Sequence, residues 1–193
     1  MKSLLRFSLF FLATLSLFLI TRHYTQPAYR GLLTDLGSAV LGTEAADRTV
    51  RLDREAGALD SAIHLVHHGN PPVEMILAFD STGLGWTPTV LLLCLITATP
   101  LPWRRKLGPL LIGSVLVHLY ILISLWFYLQ AHLADVGLAQ HSLGVARVLG
   151  GLEDELIGQI GPGLFVPVAC WVIVTFRQTD LTNLFSGARN HPA

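Results

Sequence analysis

The sequence predicts an all-α integral membrane protein: a four-span transmembrane helical bundle with two amphipathic helical segments on its extracytoplasmic side. Three observations predict it. The mean hydropathy is +0.55 and only 13% of the 193 residues are charged, whereas soluble domains carry about a quarter. The ionisable residues avoid four stretches almost entirely. Between those stretches, basic and acidic residues segregate instead of mixing.

The first stretch runs over residues 4–20, with Arg6 near its start and Arg22 just past its end. A cleaved signal peptide would need a small-residue cleavage site after a short apolar region. Here Thr21-Arg22-His23-Tyr24 follows, so an uncleaved anchor is expected. The second span, 86–101, is closed by Pro100, Pro102 and the cluster Trp103-Arg104-Arg105-Lys106. The third, 108–130, is long enough to cross about 30 Å of hydrocarbon. Trp126, Phe127 and Tyr128 near its far end are placed like an interfacial aromatic belt. The fourth covers 156–176 and contains Pro162 and Pro167. Cys94 and Cys170 both fall inside apolar stretches, where cysteine behaves as a small buried hydrophobe.

Lysine and arginine placement sets orientation. With the N-terminus inside, Lys2, Arg6, Arg104, Arg105, Lys106, Arg177 and Arg189 face one acid, Asp180, for a net +6 on the cytoplasmic side. The opposite face, residues 21–85 and 131–160, then carries a net −6. Arg104, Arg105 and Lys106 are the topology-setting group, and the expected location is the bacterial inner membrane, multi-pass, with both termini cytoplasmic. The formal charge is balanced and there is no basic patch interleaved with aromatics, so no nucleic-acid partner is expected. The expected partners are the lipid bilayer and another membrane protein.

Within 21–85, Leu52, Ala56, Leu59, Ile63 and Val66 recur at helical spacing. Asp47, Arg51 and Glu55 form an i,i+4 ladder on the other face. The spacing predicts a helix over 44–68, stopped by Gly69-Asn70-Pro71-Pro72. Leu138, Val145, Leu149, Leu152, Leu156 and Ile160 form a second stripe, which glycines 137, 144, 150, 151 and 158 would break or fray. Both segments lack lysine and are net acidic, which favours packing on each other or on a partner over adhesion to anionic lipid.

Few residues suggest chemistry. His64 and His68, one turn apart on the expected helix, could share a transition metal, with His23, His132, His141 or nearby acids completing the set. Solvated imidazoles at a helix C-terminus are the competing reading. His118 is an ionisable residue at membrane depth, with Ser114 one turn earlier on the same face. It fits a proton relay, a haem or metal ligand, or a neutral histidine bonded to Ser114 or to Thr97 or Thr99. A haem held between spans usually takes two facing histidines, and these spans contain one. Cys94 and His118 could come level on neighbouring spans, but no arginine lies in either span to stabilise a thiolate. Gly-rich phosphate loops, HExxH and GxSxG are absent. No catalytic residue and no cofactor-binding residue is assigned.

The stretch Thr99-Pro100-Leu101-Pro102-Trp103-Arg104-Arg105-Lys106-Leu107, followed by Leu110-Leu111-Ile112-Gly113, resembles a segment of the exosortase and archaeosortase family and of small membrane proteins associated with exosortases. The resemblance covers residues 86–125. Exosortases are membrane cysteine transpeptidases that process C-terminal sorting signals, and their helix carries an asparagine and then an arginine after the glycine. Here that region reads Val117-His118-Leu119-Tyr120-Ile121-Leu122, and Cys94 lies too close to match the nucleophile. The catalytic residues do not carry over. The resemblance therefore implies a non-enzymatic accessory subunit of an inner-membrane assembly linked to protein sorting or exopolysaccharide export. A metal- or haem-binding subunit using His64, His68 or His118 is the alternative.

Overall fold

The computed structural model describes residues 2–44, 48–54, 59–69, 71–135, 151 and 160–175. In chain order these form α1 (Lys2–Ile20), α2 (Arg22–Leu41), β1 (Thr43–Glu44), β2 (Arg48–Arg54), β3 (Ser61–His67) and β4 (Val73–Phe79). A π-helical turn (Thr82–Trp86) then leads into α3 (Thr87–Ala98), followed by α4 (Trp103–Asp135) and α5 (Ile160–Thr175).

The all-α expectation is overturned between β1 and β4. There the chain is a four-stranded antiparallel meander in the order β1-β2-β3-β4, not a helix over 44–68. The reason is a period of two that competes with the helical one. Val50 and Leu52 alternate with Thr49, Arg51 and Asp53, and Ile63 and Leu65, then Leu77 and Phe79, are buried at the same spacing of two, so each strand turns one apolar row inward. Register joins the rows: Val50 lies opposite Leu65, Leu52 opposite Ile63, and Ile63 opposite Leu77. Leu52 and Ile63, read as two points on one helix face, are cross-strand neighbours. Arg51 pairs with Asp53, two residues along on the same strand face, with Nε 3.0 Å from Oδ1. Asp47 and Glu55 of the expected ladder lie outside the described residues.

Helix α2 covers the inner face of the sheet. Its Leu33 is buried in one core with Leu52, Ile63 and Leu65, and Ser38 Oγ donates to the Leu52 carbonyl at 3.4 Å. Burying each of the central Ile63 and Leu65 side chains is worth about 2 kcal/mol, which ties the sheet to α2 and to the upper end of α4.

Below the sheet, α3 is the central rod, touched by α1, α4 and α5. Leu92 and Ile96 face α4 and belong to the same core as Val117, Ile121 and Leu125. Val90 and Cys94 face α1, where Phe11, Leu15 and Phe18 cover them. Trp171 of α5 donates Nε1 to Thr99 Oγ1 at 2.9 Å and lies against Phe7 of α1. Cys94 and Cys170 are both buried free thiols.

The four-span expectation is overturned as well. Among the described residues only α4, over Trp103–Ala134, is by itself long and apolar enough to cross a membrane. Leu5–Ile20 and Arg22–Leu41 would count as a second span only taken together, and they are bent by 79°. Thr82–Ala98 and Gly163–Thr175 are apolar but shorter. The second expected span is cut back and the third is extended. Pro100 and Pro102 end α3 at Ala98, and α4 takes up the following residues from Trp103, five earlier than expected. The expected start of the fourth span near Leu156, and most of the second outer segment, lie outside the described residues.

Candidate functional site

The described polar side chains concentrate along the seam where α2 meets the Thr82–Trp86 turn, α3 and α4. The seam begins with Asp80, which closes β4 by accepting the backbone N–H of Thr82 at 2.9 Å and of Gly83 at 3.0 Å. This is how an Asp in an Asp-Ser-Thr-Gly string starts a helix: it satisfies donors that have no intrahelical partner. The turn is then pinned to α2 by three contacts. Gln26 hydrogen-bonds the Thr82 hydroxyl, Trp86 Nε1 donates to Thr25 Oγ1 at 3.2 Å, and the Arg22 guanidinium stands 5.8 Å over the Trp86 ring.

Next comes an ion pair. Arg30 Nη2 lies 2.8 Å from Asp60 Oδ2, and the Asp60 side chain is only 6% exposed. Asp60 Oδ1 accepts the Ser81 backbone N–H at 2.9 Å and the Ser61 hydroxyl at 3.3 Å. Burial alone would raise the Asp60 carboxyl. Hydrogen bonds from the Ser81 side chain and backbone, with the Arg30 charge, outweigh it and hold the group below its ordinary value. The carboxylate therefore joins three elements at once: α2, the start of β3 and the residue that leads into the π-helical turn.

One residue before Arg30, Tyr29 opens a second chain of contacts. Thr89 of α3 donates to the Tyr29 oxygen at 3.3 Å, and the Tyr29 oxygen lies 3.4 Å from His118 Nε2 on α4. His118 Nδ1 is 2.8 Å from the Ser114 carbonyl. A carbonyl only accepts, so Nδ1 carries a proton and donates to Ser114, while the Tyr29 hydroxyl accepts from Thr89 and bonds the far side of the ring at Nε2. Gly85 makes room for this arrangement, since a Cβ there would come within 2.7 Å of the Tyr29 ring.

His118 is hydrogen-bonded within the seam, but to partners other than the expected ones. It uses the Ser114 backbone in place of the hydroxyl, and Tyr29 in place of Thr97 or Thr99. Thr97 donates to the Leu93 carbonyl, and Thr99 donates to Leu95 while accepting from Trp171. Cys94 is not brought to His118. It faces α1, whereas α4 packs on the Leu92 and Ile96 side of α3 through Gly113.

His64 and His68 are separated by the change from helix to strand. His64 sits in β3 between Arg51 and Ile76 on the neighbouring strands, and His68 follows the strand, with Nε2 3.0 Å from Thr49 Oγ1. Four residues of extended chain span roughly 14 Å, too far for two ligands about 2 Å from one metal. Among the described residues no three His, Cys, Asp or Glu side chains converge on a metal position. His141 lies outside them.

Arg104 and Arg105 are exposed in the first turn of α4. Lys106 reaches back to the Thr97 carbonyl near the end of α3, a favourable place for a cation on the helix dipole. Of the expected aromatic belt, Trp126 is exposed, while Tyr128 turns to the sheet and donates to the Ala78 carbonyl at 3.1 Å.

Comparison with known protein families, curated proteins and solved structures finds no match to this chain.

The seam uses residues that spacing does not reveal: Tyr29, Arg30, Asp60, Ser81 and Thr89. The Tyr29→Phe variant tests its second half. It keeps the ring but removes the hydroxyl that bonds His118 and accepts from Thr89. The expected cost is about 1–2 kcal/mol, read as a lower unfolding midpoint in detergent.

Proposed function

We propose that this chain is a membrane-anchored, non-enzymatic accessory subunit of a bacterial inner-membrane assembly, which holds its antiparallel sheet at the outer surface for a protein partner. The observation that carries this reading is the exposed apolar surface of the helices beneath the sheet. Leu9, Phe10 and Leu17 of α1, Leu111, Val115 and Leu119 of α4, and Phe165 and Ile173 of α5 are all exposed large hydrophobics. Exposed apolar area on this scale marks a surface that belongs against lipid or protein.

Orientation follows from α4. Its 33 residues span about 50 Å, more than the ~30 Å hydrocarbon thickness. Arg104, Arg105 and Lys106 stand at one end, and Tyr128 reaches the sheet near the other. The positive-inside rule puts the basic end in the cytoplasm and the sheet outside. The seam supports an accessory role because its polar groups are engaged with one another: Asp60 is held by Arg30, Ser81 and Ser61, and His118 by Tyr29 and Ser114. That arrangement fastens a sheet to an anchor. The process we assign, exosortase-type protein sorting or exopolysaccharide export, rests on the resemblance of residues 99–107 and 110–113 alone.

The test is affinity purification from native membranes in mild detergent, followed by mass spectrometry. A stoichiometric partner from a sorting, secretion or polysaccharide system is expected. A protein that emerges alone and carries a metal or pigment would contradict the reading.

A further inference from the structure

Helix α2 has a second face, turned away from the seam, that the accessory reading does not use. An open groove of about 590 Å³ runs along it, walled by Pro27, Ala28, Leu32 and Leu36, with Asp35 and Arg54 at its sides. Arg54 comes from the end of β2 and lies close against α2 because residue 31 is glycine. A Cβ there would sit 2.8 Å from Arg54 Nη2. Arg54 and Asp35 are both exposed. Among the described residues they form no ion pair with each other or with any other side chain.

We infer that this groove binds the headgroup of a phosphoethanolamine lipid. The inference rests on the membrane reading above. The chain bends by 79° between α1 and α2, so with α1 along the bilayer normal, α2 lies nearly in the membrane plane. It follows directly on the apolar α1, at the level where headgroups begin. Two opposite charges bordering one apolar groove match a zwitterion. The phosphate accepts from the Arg54 guanidinium, whose planar fork suits it. The primary ammonium donates to the Asp35 carboxylate, and the apolar wall meets the glycerol end of the lipid. An anionic headgroup would satisfy Arg54 but be repelled by Asp35. A choline headgroup brings a cation with no N–H to donate.

The test uses the purified full chain in detergent and native mass spectrometry. Phosphatidylethanolamine, phosphatidylcholine and phosphatidylglycerol with identical acyl chains are titrated separately. The expected result is one retained phosphatidylethanolamine, bound about tenfold more tightly than the other two, a difference of one charged hydrogen bond. Asp35→Asn and Arg54→Gln should each remove that preference while leaving the unfolding midpoint in place, since both side chains are exposed and unpaired. Equal retention of the three lipids, or an unchanged preference in both variants, would overturn the inference. A carbonate wash of native membranes separates this from failure of the membrane reading. Protein that stays in the membrane without headgroup preference refutes the groove alone, and protein that washes off refutes the anchor.

Discussion

Asp60→Ala should destabilise the fold by about 3 kcal/mol, because removing one partner of a buried ion pair strands the other. Arg30 would keep its place beside the sheet without a counter-charge, and the Ser81 N–H and Ser61 hydroxyl would lose their acceptor. The double variant Arg30→Met with Asp60→Leu should cost less than Asp60→Ala, since no uncompensated charge remains. Urea unfolding monitored by far-UV circular dichroism measures both. The effect also has a pH signature. The Asp60 carboxyl is held below its ordinary value of 3.8, so its contribution is fully present above that value and is lost as pH falls through the lower folded-state value. The gap between wild type and Asp60→Asn should therefore be constant near neutrality and narrow below about pH 4. A gap that widened on acidification would contradict the assignment of Asp60 as a carboxylate held by Arg30.

Val115→Arg is expected to be nearly as damaging, for a reason that lies outside the protein. Val115 is 60% exposed on α4. In water, an arginine there would change stability by no more than about 0.5 kcal/mol. In hydrocarbon, near the middle of a span, it costs about 3 kcal/mol. The same substitution at Leu111 or Leu119, on the same stripe, should behave alike. The readout is the fraction of newly made chain that resists carbonate extraction, which should drop clearly for all three. Unaltered extraction with a normal unfolding midpoint would show that this stripe faces water.

How much was legible in the sequence depended on which periodicity the residues shared with a competing one. The apolar character of α1, α3, α4 and α5 was plain from composition, because long runs without charge leave little choice. Their limits were not. The residues after Pro102 belong to α4, and the expected belt residue Tyr128 serves the sheet. The sheet itself was missed although its signal was present. Val50 and Leu52, Ile63 and Leu65, and Leu77 and Phe79 each sit two apart, which is strand spacing. Leu52, Leu59, Ile63 and Val66 also fit a helical stripe, and strands of seven residues are too short for one window to separate the two patterns. The error carried over to chemistry, since His64 and His68 share a metal only on a helix. His118 and Ser114 were legible as a pair because both lie on one helix. Tyr29, Arg30 and Asp60 were not, because β-strand pairing and helix packing bring together residues 30 to 89 positions apart, a distance at which no spacing rule operates.

Side-specific labelling in intact spheroplasts tests the central claim, that an apolar helical anchor holds the sheet outside the inner membrane, most directly. Cys94 and Cys170 are buried, so a cysteine placed at Arg51, whose side chain is 73% exposed on the sheet, reports alone. A second variant carries a cysteine at Trp103, 64% exposed at the start of α4. A membrane-impermeant maleimide should label Arg51→Cys without lysis and Trp103→Cys only after lysis, both in chains that stay in the carbonate-washed pellet. Labelling of Trp103→Cys in intact spheroplasts with Arg51→Cys protected, or recovery of either chain in the supernatant, would contradict the account.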